Sequence, residues 1–328
     1  MDYYYSYEEQ YMQALINIYK NGFADGVNER TGHSTKRLPC VVFRVDVEKN
    51  FPILKSKFVA AKTAQREIEW IWKQQSNNIH DLKAHIWDSW ADENGSIGKA
   101  YGYQMAQPVK IYTDPIHKTK ETYREYANQA EYVIEYLREF PNGRWANVTL
   151  WNVAELQDMN LVPCCHTSTW NLDGGRLNCV LDQRSGDMPY GVPFNTTQYA
   201  ELMCMIAKDL GVKPGILTHV IADAHIYENQ MEGVKHQILN WAIMQNVVNS
   251  NDPCKANVLA YLYASDIVKE YEKDATPEEI IERCKEVVAC RPHFEICTDK
   301  SFFEYNADDC KVEDYKFMSR INFGEVAV

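Results

Sequence analysis

The sequence lacks several features that would place it in common classes of protein. Among its ten cysteines, no two have the C-x-x-C spacing of a zinc ribbon or a thioredoxin-like site. No run approaches the roughly eighteen apolar residues of a membrane-spanning helix. The first residues carry Asp, Glu and Tyr where a signal peptide has basic and then apolar residues. These absences predict a cytoplasmic protein with reduced thiols and no metal site.

Positive charge is also scarce. The chain has 34 Lys and Arg against 46 Asp and Glu, which gives a formal net charge of −12. This balance argues against nonspecific binding to nucleic acid or to an anionic membrane. A few arginines in a cleft can still bind a small anionic substrate. At 328 residues the chain can bury a sizeable core.

Hydrophobic periodicity predicts helices that alternate with strands. Helices are predicted for residues 7–19, 60–75, 128–140 and 199–210, and strands for 41–47, 145–151, 216–227 and 293–297. A segment at about 242–289 is helical throughout and carries no candidate chemistry except isolated cysteines. Because there are no repeats or Pro/Gly/Ser linkers, we expect one α/β domain, residues 1–328, with a helical insertion at about 242–289.

The stretch from Met159 to Asn195 holds the main candidate groups. A Pro-Cys pair precedes a β-like run, and a second run ends in Q-R-S before G-V-P-F-N. A lone cysteine such as Cys164 is more often a small buried apolar residue, unless a nearby cation lowers its pKa. The neighbouring Cys165 and His166 suggest a protease, but adjacent strand residues point to opposite faces and cannot easily form a nucleophile–base couple.

Three arginines, Arg30, Arg144 and Arg184, lie in short polar segments next to predicted strands. Each could be solvated turn chemistry, whereas together they are typical of a phosphate clamp, and Ser185 adds a hydroxyl. Glu67 falls on an apolar helical stripe, so it is either a surface residue or a buried acid with a raised pKa.

Aromatic residues are concentrated in the loop that contains Trp87, Trp90 and Tyr101. Their simplest interpretation is packing in the core or the loop, and the alternative is a wall for a flat ligand.

Eleven segments, in this order, resemble the thymidylate synthase family and together cover most of the chain. They are E-R-T-G-H-S-T, F-P-I-L-K-S-K, E-I-E-W-I-W, I-W-D-S-W-A-D-E-N-G-S-I-G-K-A-Y-G, P-N-G-R-W, L-W-N-V-A-E-L, M-N-L-V-P-C, D-Q-R-S-G-D, G-V-P-F-N, D-A-H-I-Y and V-A-V. A lone Q-R-S would mean nothing, whereas eleven ordered matches are very specific. The segment E-I-E-W-I-W-K-Q-Q-S-N is most similar to the branch of low-GC bacteria and their phages.

The resemblance implies reductive methylation of dUMP to dTMP, with 5,10-methylenetetrahydrofolate as the donor of carbon and hydride. It also implies a large twisted mixed β-sheet packed with helices, in a homodimer that joins sheet to sheet and supplies Arg144 across the interface. The alternative within the fold is a pyrimidine-nucleotide hydroxymethylase, in which water traps the methylene intermediate. A third hypothesis, a weakened homologue that binds RNA, is disfavoured by the acidic pI.

The resemblance further implies residue roles. Cys164 would attack C6 of the uracil, Asn195 would read the ring, and Glu67 with Tyr101 would move protons. The implied catalytic set is Cys164, Glu67, Tyr101, Asn195 and Asp187. The implied nucleotide-binding residues are Arg30, Arg144, Arg184, Ser185, Asn195, His225 and Tyr227. The implied folate-binding residues are Trp87, Trp90, Asp187, Gly191, Phe194, Ala327 and Val328, the last two as a lid.

The chain departs from the family pattern at three places. Arg144-Trp145 stands where two arginines are usual, and Cys165 stands where a histidine commonly follows the nucleophile. A glutamine common shortly after the nucleophile is replaced in the run 168–170. Because these changes surround the implied pyrimidine site, they leave open whether the product is methylated or hydroxymethylated.

Overall fold

A mixed β-sheet forms the centre of the protein. The structure, a computed structural model, describes residues 6–248 and 275–326. The strands are β1 Phe23–Ala24, β2 Thr35–Asp46, β3 Val109–Tyr112, β4 Tyr123–Tyr126, β5 Asn147–Thr149, β6 Cys165–Asp173, β7 Arg176–Gln183, β8 Gly186–Asp187, β9 Lys213–Tyr227, β10 His293–Ile296 and β11 Cys310–Glu313. In the described part, the main sheet has the order β1-β2-β9-β7-β6-β5, and β8 pairs with β9.

Helices pack around this sheet. They are α1 Tyr7–Asn21, α2 Ala61–Glu69, α3 Gly102–Met105, α4 Gln129–Glu139, α5 Gly191–Asp209, α6 Met231–Val248 and α7 Pro277–Ala289. A π-helical turn, Trp70–Gln74, continues α2. The Ser6 hydroxyl accepts the Glu9 N–H at the start of α1, so a side chain satisfies one of the free amides there.

The two faces of the sheet differ in how deeply their side chains are buried. Along β9 the side chains of Leu217, His219 and Ile221 are fully buried, whereas those of Thr218 and Val220 between them are half-buried. This period of two places one face of the strand on the core and leaves the other face partly open. The central strands β7 and β9 run parallel, whereas β2 pairs with β9 and β6 with β7 antiparallel, so the predicted α/β fold with a large mixed sheet is confirmed.

Some element boundaries differ from the sequence prediction. Helix α5 begins at Gly191 rather than at residue 199. Pro193 lies in the first turn of this helix, where proline is tolerated because an amide there has no partner within the helix. Strand β2 begins at Thr35 rather than at residue 41, and the hairpin of β3 and β4 was not predicted.

Two predicted features lie partly or wholly outside the described residues. Helices α6 and α7 occupy the two ends of the expected helical segment at about 242–289, and residues 249–274 between them are not described. The expected lid residues Ala327 and Val328 also lie outside the described residues.

Candidate active site

The thiol of Cys164 lies where β6 begins and β7 ends. The Arg184 backbone N–H donates to the Cys164 carbonyl oxygen at 2.9 Å. The Arg184 guanidinium donates to the carbonyls of Pro163 at 3.0 Å and Val162 at 2.7 Å, and its Nη2 lies 3.8 Å from Cys164 Sγ. Backbone carbonyls of the same segment therefore hold a cation beside this sulfur.

Burial and charge act in opposite directions on this thiol. Burial raises the pKa of Cys164, and the cations Arg184 and Arg30 together with the Tyr101 hydroxyl oppose that rise. Tyr101 Oη accepts the Cys164 N–H at 3.0 Å. Tyr101 has a φ of +43°, which is costly for a residue other than glycine. The site therefore contains local backbone strain beside its central sulfur.

Glu67 is buried in helix α2. Of the two interpretations of its place on an apolar stripe, the structure therefore supports the buried acid. Its two carboxylate oxygens accept hydrogen bonds from Trp87 Nε1 and Gln198 Nε2. Burial raises the pKa of Glu67, and the two donors partly offset that rise. The Trp87 ring contacts the rings of Tyr101 at 5.0 Å and Trp90 at 5.5 Å, so the carboxyl lies behind an aromatic wall.

Asn195 lies in the first turns of α5 and is half-buried. Its Oδ1 accepts a hydrogen bond from Gln183 Nε2 at 3.3 Å. Cys165 is buried on the same side, with its Sγ 3.5 Å from Gln183 Oε1. Cys165 thus contacts a different part of the site from Cys164, as the alternation of side chains along a strand predicts.

The structure brings two of the three predicted phosphate-binding arginines near one another. Arg30 is exposed in the loop before β2, and its charge opposes the rise in pKa that burial causes at both Cys164 and Tyr227. Ser185 follows Arg184 and is half-buried. Arg144 is exposed between α4 and β5 and has no hydrogen bond or ion pair with any described residue. One chain therefore does not bring Arg144 to the Cys164 thiol.

Trp145 follows Arg144 and is 43% exposed. Its ring lies nearly parallel to that of Tyr136, with an interplanar angle of 17° and centroids 6.4 Å apart. The Tyr136 ring lies so close to Gly143 that a Cβ added there would meet its hydroxyl oxygen at 2.5 Å. Trp145, which stands where the family usually has an arginine, thus packs against the ring of Tyr136.

The end of β9 carries the two predicted sugar-binding residues. The rings of His225 and Tyr227 meet edge to face at 4.9 Å. Asp187 on β8 pairs in register with His225 and accepts hydrogen bonds from the Tyr190 backbone N–H and from Gln230 Nε2. Burial raises the pKa of Asp187, while nearby His225 and Lys57 oppose that rise.

A cavity of about 270 Å³ lies next to the start of α5. Its lining includes Phe194, which the sequence predicted, and four side chains that received no predicted role, namely Lys57, Phe58, Tyr190 and Arg320. The Arg320 guanidinium stacks 3.6 Å from the centre of the Phe58 ring, and burial lowers the pKa of Lys57 to about 8. Lys57 is the last residue of the segment F-P-I-L-K-S-K and Phe58 follows it, whereas no sequence signal connects Arg320 with that segment.

The described part of the chain comprises residues 6–248 and 275–326. In this part of the chain, no group of three or more His, Cys, Asp and Glu side chains is arranged to hold a metal ion. No helix in the same ranges has the length and apolar character needed to cross a membrane.

Comparisons with known proteins agree with this geometry, which defines an α/β enzyme with a cysteine at the centre of its site. The family model for thymidylate synthase matches residues 9–278. A thymidylate synthase of Clostridium beijerinckii is 42% identical over 235 residues, covering 71% of this chain and 81% of the relative. One of Bacillus licheniformis is 30% identical over 333 residues, covering 98% and 99%.

A solved structure gives the same result. Thermostable thymidylate synthase A from Bacillus subtilis matches 99% of this chain and 100% of its own, with a TM-score of 0.74 and 28% identity. The chain belongs to the thymidylate synthase family. The resemblance to the branch of low-GC bacteria is confirmed by the Clostridium and Bacillus relatives.

Proposed function

We propose that this protein catalyses the reductive methylation of dUMP to dTMP. The observation that carries this proposal is the grouping of Cys164, Arg184 and Tyr101 at the end of two paired strands, with Asn195 on the adjoining helix. The relatives that match the chain are named thymidylate synthase, which does not favour the hydroxymethylase alternative.

Cys164 is the nucleophile in this proposal. Its thiolate forms a bond to C6 of the uracil, and the electron pair of the C5–C6 double bond moves so that C5 becomes nucleophilic. The Arg184 guanidinium favours the thiolate before attack. Once the one-carbon group is on C5, the C5 proton is lost to a base. When hydride completes the methyl group, the electron pair released at C5 re-forms the C5–C6 double bond and the sulfur leaves C6 with its own pair, so the enzyme is regenerated.

Asn195 reads the pyrimidine edge. One amide supplies an acceptor for uracil N3–H and a donor for O4, which is the pattern that uracil requires. The half-buried position of Asn195 at the start of α5 supports this role, because the amide remains within reach of the cleft.

Glu67 transfers protons to and from the ring. Its raised pKa supports this role, because the shift brings the carboxyl closer to the pH at which one group can both donate and accept a proton. Tyr101 bridges the two groups, since its hydroxyl accepts the Cys164 amide and its ring touches Trp87, a donor to Glu67. Ordered water completes the path.

The rest of the nucleotide is held by charge and hydroxyl contacts. Arg30, Arg184 and Ser185 bind the 5′-phosphate, and His225 with Tyr227 hydrogen-bonds the deoxyribose 3′-OH. We infer that Arg144 joins them from a partner subunit, because its exposed side chain has no partner among the described residues.

The residues beside α5 fit a folate. The cavity combines aromatic rings for a flat pterin with Lys57 and Arg320 for carboxylates. 5,10-Methylenetetrahydrofolate supplies the carbon and the hydride when it is bound. Trp87, Trp90, Gly191 and Phe194 provide the walls, and Asp187 addresses the pterin. The chain's own contribution is to orient this ring system beside the pyrimidine and to exclude water.

We infer a homodimer that joins sheet to sheet. The outer face of the sheet supports it, because Val42 is 45% exposed and the neighbouring Thr218, Val220 and Val180 are only half-buried. An apolar face of this kind is typical of a buried subunit contact.

We also infer that the chain is one domain, located in the cytoplasm. Asn240 and Gln237 of α6 hydrogen-bond Ser56, and α6 shares an apolar cluster with α7, which includes Ile243 and Ile280. The described cysteines are all free thiols, which fits a reducing compartment.

Incubation with dUMP and 5,10-methylenetetrahydrofolate tests the proposed reaction. We expect dTMP and dihydrofolate in equal amounts, followed by chromatography and by the near-ultraviolet absorbance of dihydrofolate. Recovery of 5-hydroxymethyl-dUMP with tetrahydrofolate would instead establish hydroxymethylation. The absence of both products from a folded dimer would contradict either reaction.

A further inference from the structure

A buried chain of hydrogen bonds leads from helix α1 to the pyrimidine-reading amide. Its members, which we name the polar chain, are Tyr7, Thr196, His219, Gln183 and Asn195. The successive distances are 3.1 Å from Tyr7 Oη to Thr196 Oγ1, 2.9 Å to His219 Nδ1, 2.7 Å from His219 Nε2 to Gln183 Oε1, and 3.3 Å from Gln183 Nε2 to Asn195 Oδ1. The first four members are buried, and Asn195 alone is half-buried.

The direction of these hydrogen bonds follows from one backbone carbonyl. Gln183 Nε2 also lies 2.8 Å from the Ser185 carbonyl oxygen, which can only accept. The amino group of Gln183 therefore faces Ser185 and Asn195, and its Oε1 faces His219. His219 Nε2 must then carry the proton, so Nδ1 of the neutral ring is an acceptor; it shares the single Thr196 hydroxyl proton with the Val192 carbonyl oxygen, which lies 2.8 Å from Thr196 Oγ1. Because the Cys165 thiol approaches the same Oε1, the Gln183 amide has no free donor or acceptor.

The histidine in this chain stays neutral. His219 is fully buried, and burial lowers its pKa to about 3. Its ring nitrogens contact a hydroxyl and an amide oxygen, and the Phe43 ring lies edge to face at 6.4 Å. A single tautomer thus persists throughout the physiological pH range.

We propose that His219 is a positioning residue that sets pyrimidine specificity: through Gln183 it holds Asn195 with Oδ1 toward Gln183, so that the site selects uracil over cytosine. This inference rests on the proposed function for the identity of the ring. Its structural part, the direction of the polar chain, does not depend on any activity.

The selection follows from donor and acceptor patterns. Uracil offers N3–H to Asn195 Oδ1 and O4 to Nδ2, whereas cytosine presents an acceptor at N3 and a donor at N4. An Asn195 amide rotated to suit cytosine would turn its amino group toward the Gln183 amino group. Two donors would then face each other in a buried site, and neither would be satisfied.

Removing the hydrogen-bond donor at position 219 should weaken the preference for uracil over cytosine. In His219→Phe, Gln183 Oε1 keeps only the weak thiol donor, so the amide is free to move away from Asn195. We expect the ratio of kcat/KM for dUMP to that for dCMP to fall by about tenfold or more. We expect His219→Gln to restore most of the ratio, because its amide can donate to Gln183. A folded His219→Phe enzyme with a ratio within about twofold of the original would overturn the proposal.

Helix α1 offers a matched pair of controls. Tyr7 and Tyr11 are both buried and both donate a phenolic hydrogen bond, but only Tyr7 belongs to the polar chain, since Tyr11 Oη donates to the Met188 carbonyl at 2.7 Å. Tyr7→Phe should lower the dUMP preference, by less than His219→Phe does, and Tyr11→Phe should leave it unchanged. Equal effects of the two substitutions would mean that general loosening of α1 is the cause, which contradicts the proposal.

The tautomer can be measured without turnover. Nitrogen NMR of the histidine-labelled, ligand-free protein should show His219 as the neutral Nε2–H form down to about pH 5. An Nδ1–H tautomer or a charged ring under these conditions would overturn the proposal, even where His219→Phe fails to fold. If dUMP is not converted but the Nε2–H form is found, the proposed function fails while the direction of the polar chain stands.

Discussion

Two adjacent cysteines lie in opposite chemical environments. We call Cys164 with Arg184 the cationic corner, and Cys165 with Gln183 and His219 the neutral corner. In the pairing of β6 with β7, Cys165 is opposite Gln183, and Arg184 hydrogen-bonds Cys164 one position further along. A shift of one residue along the same two strands therefore separates a thiol beside a guanidinium from a thiol beside an amide.

The comparison shows that two adjacent residues of one strand can have different thiol pKa shifts for different physical reasons. The pKa of Cys165 is raised well above its ordinary value by burial, and no cation among the described residues offsets that rise. At Cys164 burial acts in the same direction, but Arg184 and Arg30 oppose it and the side chain is only half-buried. The cationic corner thus supports a thiolate and the neutral corner supports an uncharged hydrogen-bond network.

The largest expected effect on kcat comes from replacing each of the two cysteines in turn with alanine. Cys164→Ala should lower kcat for dTMP formation by roughly 10⁴-fold or more, since the nucleophile is removed. Cys165→Ala should keep kcat within about tenfold of the original, because it removes only a weak thiol contact. Measured rates of dTMP formation decide between them. If Cys165→Ala were the inactive variant, the two corners would have exchanged roles.

Glu67 lies close enough to the neutral corner to act on it: burial is the main cause of the raised pKa of Cys165, and the Glu67 carboxylate adds to that rise. Glu67→Gln should lower kcat by about 10²–10⁴-fold, the usual loss when a general acid–base group is removed. The dUMP dissociation constant should change little, and binding measured by calorimetry would check this. A loss of binding equal to the loss of kcat would indicate a structural role for Glu67.

Glu201 is a matched control for Glu67. It is also buried, its pKa is raised well above the ordinary value by burial, and its carboxylate has no hydrogen-bond partner among the described residues. The folded state therefore keeps a proton that the unfolded state loses, so the stability of the protein falls as pH rises toward the folded pKa. Glu201→Gln should leave kcat unchanged and increase the free energy of unfolding more at high pH than at low pH. Denaturant titrations at several pH values measure this difference.

A smaller effect is expected when the cation of the cationic corner is removed. Arg184 lowers the pKa of Cys164, so Arg184→Gln should raise that pKa and move the alkylation of Cys164 to higher pH. Peptide mapping after brief iodoacetamide treatment should show a several-fold slower reaction at neutral pH. The exposed Cys40 in the same digest is the internal reference. An unchanged pH curve for Cys164 would mean that the guanidinium does not act on the sulfur.

Much of this arrangement could be predicted from local sequence. Period-two alternation separates Cys164 from Cys165, and the helical stripe identifies Glu67 as an acid among apolar positions, although it left open whether that acid is buried. These patterns depend on neighbours within one element, so a single sequence contains them. The start of α5 was predicted too late because the prediction rested on the apolar face of residues 199–210 alone.

The polar chain could not be predicted in the same way. His219 lies in a predicted strand, but its partners Gln183 and Thr196 are 36 and 23 residues away in sequence. A lone histidine in a strand-like run therefore gave no signal of its own. Arg320 was missed for the same reason, because its contact with Phe58 joins distant parts of the chain. Contacts of this kind depend on topology rather than on local pattern.

The smallest expected effect compares two buried cysteines through serine. Cys165 and Cys179 are both buried on the inner face of the sheet, but only Cys165 has a described acceptor within reach, Gln183 Oε1. Cys165→Ser should therefore change the free energy of unfolding by less than about 1 kcal/mol, whereas Cys179→Ser should lower it by about 1–3 kcal/mol by burying an unsatisfied hydroxyl. Denaturant titration measures both. Equal losses would mean that Gln183 Oε1 has no capacity for another donor, and the neutral corner would then be a tightly filled apolar site rather than a network that accepts a hydroxyl.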